Sequence, residues 1–217
     1  MKSFGFQLEP RLIEYSSAIR NKGDIIVLLI NILKFINISQ PINLTNLTIR
    51  DNKNLILLII HIDKMSRVFI VEKDKIHTFQ FPFQVLLSED PWKIKHNDTV
   101  IDSGVATLLS TVFYNFDEHK SLEEILDRYW DIISDLEVDK KDASSIETLI
   151  TFLLTFETGY LRFDYDDIRC SEMHPVNHLD FYYSSNNTFK IGLSARIEHS
   201  KMIDILDINK KCATIKI

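Results

Sequence analysis

Apolar spacing divides this chain into strand-like and helix-like stretches, because a strand alternates faces at every residue whereas a helix returns every 3.6 residues. From Ile42 the texture is β-rich. Leu44–Ile49, Leu55–Ile62, Arg67–Glu72 and Ile76–Leu87 are separated by Asp51-Asn52-Lys53, Asp63-Lys64-Met65-Ser66 and Lys73-Asp74-Lys75. That pattern predicts an antiparallel meander joined by short polar turns. Leu55–Ile60 is apolar without alternation, as in a central strand covered on both faces. Pro82 has no N–H for a ladder, so the fourth run is expected to be an edge strand or to bulge there. Upstream, Pro10, Leu12, Tyr15, Ser16 and Ile19 predict a first amphipathic helix ending near Asn21-Lys22-Gly23, and Asp24 then caps a second through about Phe35. The isoleucine and valine content of that second segment also permits a strand.

After Ser88-Glu89-Asp90-Pro91 the period becomes helical. Ile101, Val105, Leu108, Val112 and Phe116 form one apolar face; Leu122, Ile125, Leu126, Tyr129, Ile133 and Leu136 form a second; Ile146, Leu149, Ile150, Leu153 and Leu154 form a third. Three stacked helices follow from these faces. Ser121 with Glu124 three residues on is a capping-box signature for the middle helix. Glu124, Asp127, Asp131 and Asp135 fall on one line at spacings of three and four, where like charges repel by a few tenths of a kcal/mol per pair. This line is therefore a solvated face or a surface for a basic partner. Trp130, at the border of the apolar stripe, reads as a core edge or an interface anchor.

The segment 160–196 returns to alternation. Leu161, Phe163 and Tyr165 oppose Arg162, Asp164 and Asp166; Leu179, Phe181 and Tyr183 oppose His178, Asp180 and Tyr182; Phe189, Ile191, Leu193 and Ala195 oppose Thr188, Lys190, Ser194 and Arg196. Ser184-Ser185-Asn186-Asn187 is turn chemistry, so the last two strands form a hairpin with their polar faces side by side. The order Arg162-Phe163-Asp164-Tyr165-Asp166, His174-Pro175-Val176-Asn177-His178-Leu179-Asp180-Phe181, then Lys190-Ile191-Gly192-Leu193 and a short apolar helix resembles the C-terminal half of an uncharacterised bacterial domain-of-unknown-function family. In that family a phenylalanine-proline strand precedes the histidine strand, and Phe81-Pro82-Phe83 fits this first element. The resemblance covers about the last two thirds of the chain and has lysine at Lys190 where arginine is the commoner residue, which loses the bidentate fork for phosphate. It implies a setting in bacterial mobile or defence-related gene neighbourhoods.

The 217 residues, 45% hydrophobic, suffice for one substantial core. The expected fold class is α+β, a single domain over 1–217, with N-terminal helices in 1–40, the meander in 41–90, an acidic helical lobe in 97–157, and C-terminal strands with a short helix in 158–217. Its core is expected to hold Leu55–Ile60, Phe79, Phe81, Leu126, Ile133, Leu153, Phe163, Leu179 and Phe181. Of the net charge of −6, residues 97–157 carry −10 and residues 1–96 carry +4. Any contact with nucleic acid would therefore use the non-acidic thirds or a partner. Two cysteines, Cys170 and Cys212, make no disulfide framework, and MKSFGFQLEP has no apolar signal core, so the expectation is cytoplasmic. The apolar run Ile25–Ile30 is short for a membrane helix, and no membrane role is expected.

The chain has no glycine-rich phosphate loop, Gly-x-Ser-x-Gly, His-Glu-x-x-His or Cys-x-x-Cys, and no cofactor is expected. Chemistry therefore centres on His174 and His178. In a structural reading, His174-Pro175 shapes a turn while His178 hydrogen-bonds Asp164 or Asp180 across the sheet and fixes register. In a hydrolytic reading, His178 and His174 are base and acid on a phosphodiester and Lys190, Arg162 or Arg196 stabilises the developing charge, with His174, His178, Asp164 and Lys190 as the catalytic set. In a metal reading, His174 and His178 join Asp164 or Asp166. On a straight strand positions i and i+4 lie about 13 Å apart, so only a turn at Pro175 brings the rings together, and no metal is expected. The function expected overall is that of a non-catalytic interaction or regulatory subunit of a bacterial multi-protein assembly, with anti-phage defence as a setting and a protein partner at a sheet edge or on the acidic helices. A phosphodiester hydrolase is the alternative.

Overall fold

A computed structural model describes residues 2–8, 19–44, 55–63, 65–86, 93–116, 120–136, 139–184 and 187–214, with backbone only for 182–184 and 187–188. The expected helix from Pro10, the strand Leu44–Ile49 beyond its first residue, and the Ser88–Pro91 turn lie outside these residues. The chain has both helices and antiparallel sheet, the α+β class expected. It divides into two compact units, one formed by Met1–Leu8, Pro41–Gln80 and Gly159–Ile217, the other by Glu9–Gln40 and Phe81–Thr158.

The first unit is a seven-stranded antiparallel sheet. Its strands are β1 (Lys2–Gln7), β2 (Leu57–Ile62), β3 (Arg67–Val71), β4 (Lys75–Gln80), β8 (Leu161–Tyr165), β9 (Asn177–Ser184) and β10 (Asn187–Gly192), which lie side by side in that order. The meander and the C-terminal strands are thus one sheet, joined where Ile76 pairs with Phe163. β1 was not anticipated, although Phe4, Phe6 and Leu8 alternate with Ser3, Gly5 and Gln7. Gly5 is required there: a Cβ would stand 2.2 Å from Leu44 Cδ2, and the Gly5 carbonyl accepts from the Ile42 N–H at 2.7 Å. Leu57, Ile59, Phe69, Val71, Ile76, Leu161, Phe163 and Leu179 form the apolar face, which Met202 covers from helix α5 (His199–Leu206). β2 is buried at every position, as its unalternating sequence implies. Phe181 is only half-buried, because it lies near the sheet edge against the exposed Phe189.

β4 is not an edge strand and does not bulge at Pro82. It ends at Gln80, between β3 and β8, and the chain leaves the sheet before the proline. The missing N–H therefore costs no ladder bond.

The second unit contains helices α1 (Lys22–Ile36), α2 (Ser103–Val112), α3 (Leu122–Ser134) and α4 (Lys140–Thr155), and a small sheet of β5 (Gln84–Leu86), β6 (Lys93–His96) and β7 (Thr99–Val100). That sheet was not anticipated; its strands are too short for a periodic signal. α1 is a helix, not the strand its β-branched residues also permitted. Its cap is Asn21 and not Asp24. The Asn21 side chain accepts from the Asp24 N–H at 2.8 Å while Asp24 accepts from the Asn21 N–H at 3.1 Å, a reciprocal capping box. The box expected at α3 is present, with Glu124 N–H donating to Ser121 Oγ at 3.1 Å. α3 meets α4 through Tyr129, whose hydroxyl donates to the Ala143 carbonyl at 2.7 Å.

Two helix faces are rotated from expectation. α2 buries Ala106, Leu109 and Val112 and leaves Val105 and Leu108 half-buried, while on α3 Leu126 is half-buried and Leu122 is exposed. Leu136, beyond the end of α3, is also exposed. Glu124, Asp127, Asp131 and Asp135 are all exposed, as their spacing required. Trp130 is half out of the core, its indole N–H donating to Glu147 at 3.3 Å.

Candidate functional site

Register places five charged or ionisable side chains on one face of β8, β9 and β10. Arg162, Asp180 and Lys190 are direct cross-strand neighbours in one row, and Asp164 and His178 are neighbours in the next. The alternating sequence dictates this, because a period of two sends Arg162/Asp164, His178/Asp180 and Lys190 to the face opposite the apolar core.

The charges interlock. Arg162 donates to Asp164 Oδ2 at 2.7 Å and to Asp180 Oδ2 at 2.5 Å, and Lys190 donates to Asp180 Oδ1 at 2.5 Å. His178 is fully buried, and its Nδ1 donates to the Pro175 carbonyl at 2.6 Å. A carbonyl only accepts, so Nδ1 carries the proton and Nε2 offers its lone pair to Lys190 Nζ at 3.2 Å. Nε2 also lies 3.4 Å from Asp164 Oδ2, across the sheet. The network extends along the sheet through Tyr160, whose hydroxyl is 3.2 Å from His77 Nδ1, to Glu72 at 3.4 Å from His77 Nε2.

Burial opposes the charge on Arg162, but Tyr160, Asp164 and Asp180 around it more than offset this and raise its pKa. Burial likewise pushes Asp180 up, yet the Lys190 hydrogen bond and the Arg162 charge hold its carboxyl below the usual range. Tyr160 is pushed up to about 12 by burial. The cluster is thus a neutralised lattice of fixed charges.

All four residues of the expected catalytic set are brought together. The chain turns at Pro175 before β9 begins, so the rings of His174 and His178 meet edge to face with centroids 4.5 Å apart, far closer than a straight strand allows. His174 also reaches Asp166 at 3.5 Å. Arg196 is not part of the cluster; it pairs with Asp74 at 3.0 Å and lies over the Tyr165 ring. Asp164, His178 and Asp180 offer donor atoms within 4.8 Å of one another, a possible metal set. Lys190 Nζ and the Arg162 guanidinium already lie among them, however, and supply the positive charge a cation would bring. Asp164 Oδ1 is buried without a hydrogen-bond partner among the described residues.

The apolar face of the same unit holds a second constellation that sequence reasoning missed. A cavity of about 360 Å³ is floored by Leu57, Ile59, Val71 and Phe163 and walled by Ser3, His61 and His199. His61 Nδ1 lies 2.8 Å from Ser3 Oγ, and His61 Nε2 lies 3.4 Å from His199 Nε2. Phe69 packs its edge against both imidazoles. Burial lowers both histidines to about 4, so each is neutral near pH 7. The available signal was a lone histidine in the apolar run Leu57-Leu58-Ile59-Ile60-His61-Ile62; nothing in the sequence joined it to His199 or Ser3.

No helix among the described residues is long and apolar enough to cross a membrane. No protein-family model, curated protein or solved structure matches the chain.

Proposed function

We propose that the chain is a non-catalytic interaction subunit of a larger bacterial assembly, and that a partner segment adds to its sheet along β10. The observation that carries this is the state of that edge. β10 is last in the strand order, and Phe189 on it is 49% exposed, stacked flat on Phe181 at 4.9 Å. Edge strands are ordinarily guarded by charged side chains or bulges. Here the guards are slight, Lys190 turned inward onto Asp180 and a register shift between Asn187 and Thr188, and the large apolar ring of Phe189 stays half-exposed beside them. The other edge strand, β1, is bridged at Gly5 by Ile42. Strand addition uses such an open row of backbone groups for affinity and neighbouring side chains for selectivity. The exposed acidic line on α3 offers a second contact for a basic partner. An anti-phage defence assembly is the setting implied by the family resemblance.

The hydrolytic alternative gathers His174, His178, Asp164 and Lys190 but gives His178 no surface with which to touch a phosphodiester. The lattice of Arg162, Asp164, His178, Asp180 and Lys190 supports a register-fixing role for Asp164, His178 and Lys190.

Tagged chain isolated from its native host is expected to carry a stoichiometric partner that Phe189→Lys releases at unchanged melting temperature. A wild-type chain that is monodisperse and alone, or a partner indifferent to Phe189→Lys, overturns the reading.

A further inference from the structure

We propose that His61 and His199 form a binding site for a divalent transition-metal ion of the zinc and cobalt type, a role independent of β10. The geometry of the pair fits such an ion better than it fits a direct bond. Facing Nε2 atoms 3.4 Å apart are long for an N–H···N hydrogen bond. Zinc binds imidazole nitrogen at about 2.0–2.1 Å with tetrahedral angles, which sets two ligand nitrogens about 3.3–3.4 Å apart and their ring centres about 5.1–5.3 Å apart. The rings of His61 and His199 are stacked 18° from parallel with centroids 5.4 Å apart, close to the spacing that a shared ion sets.

The surroundings agree. A metal-binding histidine ordinarily gives its remote N–H to an oxygen that fixes its tautomer and orientation. Ser3 Oγ stands at that place, 2.8 Å from His61 Nδ1, across the β1–β2 pair. With Nδ1 donating to the hydroxyl, Nε2 presents its lone pair toward His199. Phe69 holds both rings from the side, with centroids at 5.2 Å and 4.8 Å, and limits their rotation. Two protein ligands leave coordination positions open, and the adjoining cavity of about 360 Å³ accommodates water or a small ligand there. Such a site is exchangeable rather than closed and structural.

The Asp164/His178/Asp180 set makes a natural competitor and an internal control, since Lys190 and Arg162 stand among its donors.

The test is titration of the full chain, stripped with chelator, with Co²⁺ alone, followed by its visible absorption and then by displacement with Zn²⁺. The expected result is one Co²⁺ per chain with the intense bands of a tetrahedral site. Affinity should fall at least tenfold in His199→Ala and in His61→Ala, and about tenfold in Ser3→Ala through loss of the orienting oxygen. His174→Ala and Asp180→Asn should bind as wild type. Since His61 is in the core and its variant can fail to fold, His199→Ala, which replaces a half-buried side chain, decides alone. Absence of saturable one-to-one binding, unaltered binding in His199→Ala, or loss of binding in His174→Ala each overturns the proposal. Phe189→Lys leaves Co²⁺ binding intact, so failure here is distinct from failure of the interaction reading.

Discussion

The sheet of the first unit carries histidines on both faces and treats them in opposite ways. On the polar face, His178 is fully buried within a lattice in which two carboxylates meet two cations and each ring nitrogen faces a polar partner. On the apolar face, His61 and His199 point at each other beside a cavity, each depressed to about 4 by burial. The contrast shows that buried imidazole is not in itself a mark of chemistry. Both ring nitrogens of His178 are taken up by polar neighbours, whereas the Nε2 atoms of His61 and His199 face only each other beside a cavity. The sequence singled out the first pair of histidines, and the open geometry belongs to the second.

The sharpest way to break this comparison is to remove a cation from the lattice. Arg162→Leu leaves Asp164 and Asp180, both nearly fully buried, without their shared partner. Breaking a buried ion pair costs about 3–5 kcal/mol, and the low end applies because the guanidinium is still 21% exposed. Urea denaturation that shows less than half of this would mean the lattice is decorative. Next in size is His178→Ala, which strands the Pro175 carbonyl and takes one of two partners from the Lys190 ammonium, leaving it Asp180. It should lose about 1–3 kcal/mol. An unaltered melting curve together with loss of a cleavage activity would instead favour the hydrolytic alternative.

Acid should erode the polar face in two windows whose signs follow from the shifts. Burial depresses His77 below its ordinary 6.5, so as pH drops below that value the unfolded chain takes up the proton first and stability falls. Asp180, held low by Lys190 and Arg162 against its burial, contributes stability that is full above the ordinary 3.8 and is lost as pH falls through its folded value. Urea midpoints followed from neutral to strongly acid pH should therefore decline in two stages, the first shared by His77 with the depressed His61 and His199, so that His77→Gln makes it shallower without abolishing it. The smallest effect belongs to the open pair. His199→Ala should change stability by less than about 1 kcal/mol, because its side chain is half-buried and makes no charged contact among the described residues. A larger loss in metal-free protein would show that the pair is a structural strut.

Much of this was legible because it depends on period. Alternation in Leu161–Tyr165 and Asn177–Ser184 assigned Asp164 and His178 to the same face, and pairing made them direct neighbours. Ser121 and Glu124 marked the start of α3 from local chemistry alone. Boundaries governed by more than local chemistry were misread. Asp24 looked like a cap but is the third residue of its own box, and Pro82 looked like an edge signal but lies past the end of β4. Leu126 and Phe181 were assigned to the core from pattern, and their partial exposure depends on how neighbouring elements cover them.

The sequence by itself therefore determined the α+β class, the capping of α3 and the polar face of β8–β10, since each is fixed by residues a few positions apart. Only the tertiary structure decided that β4 is flanked by β8, that Pro175 folds His174 back onto His178, and that Ser3, His61 and His199 share one cavity wall. These last three residues are separated by 58 and 138 positions. No periodicity spans such distances, and only chain packing brings them side by side.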